Sequence, residues 1–123
     1  MHELGLAVEI HRRARGHVEA HARARLARVV VAVGELSAVE PDLLRFAWQA
    51  VTAGTADEGA TLEIEWCPAR QRCPGCGETP ERASGAWLPL CPRCGEPMQV
   101  EGGTELDLVR VVLTVADHAE LAS

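Results

Sequence analysis

Lysine, asparagine and tyrosine are missing from the 123 residues, phenylalanine occurs once and tryptophan three times. Every one of the twelve basic residues is therefore arginine, a bias of genome composition with no functional weight. Long hydrophobic runs are missing too. No stretch approaches the roughly 20 apolar residues of a membrane helix, and residues 1–20 lack an apolar run followed by a cleavage site. These absences predict a soluble, cytoplasmic protein with no membrane partner. Basic charge is scarce where nucleic acid would need it. Six arginines against three glutamates occupy residues 1–28, leaving six arginines against fifteen acids in the remainder. Between Cys73 and Cys94 only Arg82 and Arg93 are basic, which argues against a nucleic-acid partner.

What the chain does have is a repeat. Cys73-Pro74-Gly75-Cys76-Gly77-Glu78 returns eighteen residues later as Cys91-Pro92-Arg93-Cys94-Gly95-Glu96, matching at five of six positions. Two Cys-x-x-Cys pairs separated by the fourteen residues Gly77 to Leu90 can set four thiolates tetrahedrally about one Zn²⁺. Proline after the first cysteine presets φ, and glycine after the second tolerates positive φ, so backbone N–H groups can turn toward the sulfurs. A thioredoxin-type redox pair needs one motif opening a helix; here there are two, both loop-like. Two disulfides fit a reducing compartment poorly. Four thiolates complete the shell and leave no position for water, so the zinc is expected to be structural. A segment this short buries little core, and about 10 kcal/mol or more of its folding free energy would come from the metal. The site also adds about two negative charges, four thiolates against one Zn²⁺.

At this length the chain holds one small core plus the metal-stapled segment. Leu6, Ala7, Ile10, Ala14 and Val18 recur near a 3.6-residue period, opposite Glu9, Arg12, Arg13, Glu19 and Arg23, which predicts an amphipathic helix. His17 and His21, four apart, are expected in a partly buried structural role rather than on a metal. The β-branched run at 28–33 is too continuous for a half-exposed strand and predicts a central one. Glu40-Pro41 opens a second helix, with Leu43, Leu44, Ala47, Ala50 and Val51 as its buried stripe, Phe46 and Trp48 toward its edges, and Gly54 as its stop. Thr61 to Cys67 alternates, turning Leu62, Ile64 and Trp66 to the core and Cys67 away from it as an unpaired thiol. Glu105 to Val115 predicts a third strand, bulged near Leu108-Val109. The expected fold class is α+β: a small three-stranded sheet with two helices and an inserted four-cysteine, zinc-ribbon-like domain. Residues 1–68 and 100–123 would form one discontinuous unit and residues 69–99 the zinc-binding domain.

Taken together, Met1-His2-Glu3, Val33-Gly34-Glu35-Leu36-Ser37, Val39-Glu40-Pro41, Phe46, Gly54-Thr55, the two cysteine pairs and Glu105-Leu106 resemble the HypA/HybF family of nickel accessory proteins for [NiFe]-hydrogenase maturation. Cys67 is an extra thiol relative to that family. The resemblance implies that Met1, His2 and Glu3 bind Ni²⁺, and that Cys73, Cys76, Cys91 and Cys94 bind structural zinc. It also implies a nickel-handling GTPase of the HypB type and the hydrogenase large subunit as partners, in a monomer or weak homodimer without enzymatic turnover. The chemistry is coherent. The Met1 amine, the His2 backbone nitrogen and the His2 imidazole Nδ1 can close adjoining chelate rings, and the Glu3 nitrogen can complete a planar set suited to Ni²⁺ or Cu²⁺. The competing readings are a zinc-ribbon module for nucleic-acid or protein interaction, and an enzyme. The first lacks a basic face. The second lacks an open zinc site, a nucleophile pattern or a phosphate loop.

Overall fold

The computed structural model describes residues 2–83 and 85–115. Its elements run α1 (His2–Glu19), β1 (Ala24–Gly34), α2 (Pro41–Thr52), β2 (Thr61–Cys67), β3 (Arg70–Arg72), β4 (Gln99–Glu101) and β5 (Leu106–Val115). One sheet has the order β2-β1-β5, with β1 parallel to β2 and antiparallel to β5. Parallel pairing of β1 and β2 requires a crossover, which α2 supplies. Flanked on both sides, β1 is buried continuously from Val29 to Val33, as its unbroken apolar run predicts. Val30 pairs with Arg110 and Val31 with Leu108, so Val109 is the extra residue of the expected bulge; a second irregularity skips Ala27. Not expected from the sequence are β3 and β4, a three-residue antiparallel ladder at the base of the cysteine segment.

The core joins Ala7, Ile10, Ala14 and Val18 of α1 and Leu44, Ala47 and Trp48 of α2 to Val29, Val31, Val33 and Leu62 of the sheet. Burial of each valine, leucine or isoleucine side chain among them is worth about 1.5–3 kcal/mol. The phase of α2 differs from the expected stripe. Leu43 is 54 % exposed and Ala50 is exposed, whereas Trp48 is 2 % exposed and central. An indole can be buried when its N–H finds an acceptor, and Trp48 Nε1 donates to the Ala60 carbonyl at 2.8 Å. With the indole so satisfied, the helix turns positions 44, 47, 48 and 52 inward.

Two further expectations are corrected. Trp66 is 42 % exposed, because the residues of β2 that join the core end at Ile64. His17 and His21 are both exposed: α1 ends at Glu19, and His21 Nδ1 donates to the His17 carbonyl at 2.8 Å, capping the last turn.

At the end of β1 three chain segments cross closely. A Cβ on Gly34 would lie 2.1 Å from the Gly103 carbonyl oxygen, so only glycine fits. Here Gly34 N–H donates to Glu105 O at 2.7 Å, Glu35 N–H to Cys67 O at 2.9 Å and Leu36 N–H to Gly103 O at 2.6 Å. The chain therefore leaves the sheet after Cys67 and rejoins it at Glu105 beside the same turn.

Candidate metal centre

Each cysteine pair closes its own turn. Cys73 N–H donates to Glu78 O at 2.9 Å and Gly77 N–H to Cys73 O at 2.8 Å; the second pair repeats this with Cys91 N–H to Glu96 O at 2.7 Å and Gly95 N–H to Cys91 O at 2.9 Å. Gly77 and Gly95 hold φ of 77° and 80°, the left-handed conformation that glycine supplies without strain. The expected turn chemistry is thus present twice.

The two turns bring Cys73, Cys76, Cys91 and Cys94 together, with all four sulfurs within 4.8 Å of one another. Cys73 and Cys94 sulfurs are 3.3 Å apart and those of Cys76 and Cys91 3.8 Å apart. A tetrahedral Zn–S₄ unit with bonds of about 2.3 Å requires sulfurs about 3.8 Å apart, so the donor set fits that ion. Cys73 and Cys91 are buried, while Cys76 and Cys94 lie at the surface. The Cys76 backbone N–H, aimed at the Cys73 sulfur, brings that thiol down to about 7. The Glu96 N–H pulls Cys94 the same way, but the neighbouring Cys73 thiol and burial outweigh it and push Cys94 up to about 12. Thiols crowded this closely resist joint ionisation unless a cation shares their charge. No histidine, carboxylate or fifth cysteine joins the group among the described residues.

Cys67 stays apart, half-buried and unpaired, donating weakly to Glu65 O at 3.6 Å. Burial, together with Glu105, Glu65 and Asp107, raises its thiol above the ordinary value, which makes it a poor nucleophile.

Of the three N-terminal residues expected on nickel, Met1 lies outside the described residues. His2 opens α1 and is exposed, its Nδ1 4.0 Å from Glu3 Oε2. Glu3 is anchored: its Oε2 accepts from Glu40 N–H at 3.1 Å, which holds its carboxyl below the ordinary value. The start of α1 is thereby tied to the start of α2.

Two polar clusters were not foreseen. Asp57, nearly fully buried, binds His11 at 2.7 Å and Arg15 at 3.1 Å, stapling α1 to the loop before β2. Glu35 pairs with Arg82 and accepts from Ala69 N–H and Gly85 N–H. Arg82, one of two arginines between the cysteines, was the only sequence signal for the second cluster; nothing local marks the first.

A three-stranded sheet packed with two helices, carrying between two of its strands a segment whose four cysteines are placed to hold a metal ion, defines a small α+β protein with an inserted four-cysteine site. The model for "Hydrogenase/urease nickel incorporation, metallochaperone, hypA" matches residues 1–113. A hydrogenase maturation factor HypA of Acidithiobacillus ferrooxidans is 39 % identical over 113 residues, covering 86 % of this chain and 93 % of that protein. The HypA of Chlorobaculum parvum is 32 % identical over 114 residues, covering 92 % and 99 %. The solution structure of the Ni metallochaperone HypA from Helicobacter pylori aligns with a TM-score of 0.58 at 18 % identity, over 93 % of this chain and 98 % of that one. Another HypA solution structure aligns at 0.63 and 21 % identity, over 94 % and 98 %. The chain belongs to the HypA family of nickel metallochaperones, which are maturation factors and not enzymes.

Proposed function

We propose that this chain carries Ni²⁺ on Met1, His2 and Glu3 and delivers it to the [NiFe]-hydrogenase large subunit, with a HypB-type GTPase as its second partner, while Cys73, Cys76, Cys91 and Cys94 retain a structural Zn²⁺. The observation that carries this reading is the match to the nickel-incorporation family, whose range begins at residue 1 and so spans the three residues proposed as ligands. The position of His2 supports it. The first N–H groups of a helix have no intrahelical partner, so the His2 and Glu3 nitrogens at the start of α1 are free to bind a metal that displaces their protons to solvent. The partial positive charge of a helix N-terminus opposes a cation. The same nitrogens therefore hold Ni²⁺ more weakly here than on a free peptide, which suits a cargo that must leave. Cu²⁺ binds such ligands more tightly than Ni²⁺, so selectivity rests on delivery by protein contact. Exposed Leu4 and Val8 on α1 and Leu43 and Phe46 on α2 offer apolar contact area near that terminus.

In this reading residues 1–68 and 100–123 form the nickel-binding unit and residues 69–99 the zinc-binding one, in a cytoplasmic protein. No helix among the described residues is long and apolar enough to cross a membrane. Nucleic-acid binding by the cysteine segment has little support, because Arg72, Arg82 and Arg93 are each paired with a carboxylate. Metal analysis and calorimetry on untagged protein test the proposal. His2→Ala abolishes nickel binding and leaves zinc near one per chain, and a residue added before Met1 does the same. Untagged protein with full zinc and no nickel uptake overturns it.

A further inference from the structure

The Gly34-Glu35-Leu36-Ser37 turn belongs to neither metal site, yet its one acidic side chain is among the most heavily bonded in the molecule. Glu35 sits just beyond the central strand, and its side chain is 9 % exposed. Its oxygens accept from Ala69 N–H at 3.0 Å, where the chain leaves the sheet, and from Gly85 N–H at 2.8 Å, in the loop between the cysteine pairs. Both oxygens also receive the guanidinium of Arg82 from that loop. Arg82 is 6 % exposed, lies 3.9 Å over the Trp87 ring, and donates further to Ala83 O at 2.9 Å. Its Nε is buried without a partner, and among the described residues Glu35 is its only carboxylate.

We propose that Glu35 is a positioning residue: through Arg82 it docks the four-cysteine segment onto the end of the central strand, so that sheet and segment move as one rigid body. Without this contact, no hydrogen bond or ion pair among the described residues would join the segment to the sheet except at its two ends. Those ends are fastened by the three backbone bonds at Gly34, Glu35 and Leu36 and continue into a ladder three residues long. Such a neck permits swinging about the crossing. A carboxylate reaching from residue 35 to residues 82 and 85 closes a second, separate contact and removes that freedom. Undocking would break a charge-assisted pair that is largely shielded from water, a stronger contact than an exposed ion pair. The carboxyl of Glu35 is held down to about 2, first by Arg82 and then by Gly85 N–H, so the contact stays ionised at neutral pH. The loop carrying Arg82 is closed at both ends by cysteine pairs, so metal binding places the guanidinium. This inference needs the tetrathiolate metal and does not depend on nickel at the N-terminus.

Residual dipolar couplings on the zinc-loaded full chain test it. In the wild type, amides of β1, β2 and β5 and those of residues 70–99 fit one alignment tensor. In Glu35→Gln and in Arg82→Gln the common tensor is lost and the segment takes its own, while zinc remains one per chain and sheet chemical shifts are retained. The double variant leaves neither charge buried alone and serves, with the same reading, where a single variant does not fold. Two tensors in the wild type, or one tensor in the variants, overturns the proposal.

Discussion

Removing the metal from the four cysteines separates what the ion holds together from what the core holds together. Of the buried apolar residues among those described, only Ala69, Cys73 and Cys91 lie between residues 69 and 101, and two of these belong to the four-cysteine cluster. The others belong to α1, β1, α2, β2 and the turn at Val39. The segment thus has almost no apolar burial of its own, and with the proposed zinc bound its order would rest on metal binding worth about 10–16 kcal/mol. That corresponds to an apparent dissociation constant of roughly 10⁻⁷ to 10⁻¹² M near neutral pH. Weak chelators should leave the ion in place, while a thiol-specific mercurial should release one zinc per chain. Amide hydrogen exchange after release should show protection lost across residues 70–101 and kept in α1 and at Val29 to Val33. Cooperative loss of both regions, or persistent protection of the cysteine segment without metal, refutes this division.

Trp48→Ala removes the largest fully buried side chain and strands the Ala60 carbonyl, and is expected to cost about 3–5 kcal/mol in urea denaturation. Gly34→Ala drives a Cβ into the Gly103 backbone rather than into a flexible side chain. It should cost about 1–3 kcal/mol, seen as a lower melting temperature. Asp57→Ala leaves His11 and Arg15 without their shared acceptor and should cost about 2 kcal/mol, with faster exchange in α1. The Glu35 carboxyl is depressed from 4.5 to about 2, so its contribution to stability is full above 4.5 and fades as pH falls through 2. Carboxyl-detected NMR titration should therefore find its midpoint near 2, and a midpoint near 4.5 would show the Arg82 contact to be absent in solution.

The sequence alone was enough for features whose cause is local or periodic. Repeated Cys-Pro-x-Cys-Gly turns carry their own geometry, so the clustering of the four cysteines and the positive-φ glycines were legible from the order of residues. An unbroken β-branched run can be satisfied only between two partners, which placed β1 at the centre, and the helix on Ile10 and Ala14 followed from its spacing. Tertiary structure decided what depends on distant partners. The burial of Trp48 on the inner face of α2 is completed by an indole bond to Ala60, twelve residues on, and no periodicity contains that acceptor. Trp66 kept its alternation but lost its cover, because alternation says which face a side chain takes and not how far a helix extends over it. Glu35 met Arg82 across 47 residues, and Asp57 met His11 across 46. Pairings of that range are set by how the chain crosses itself at Gly34 and packs its helices, a property of the whole fold that no window of sequence contains.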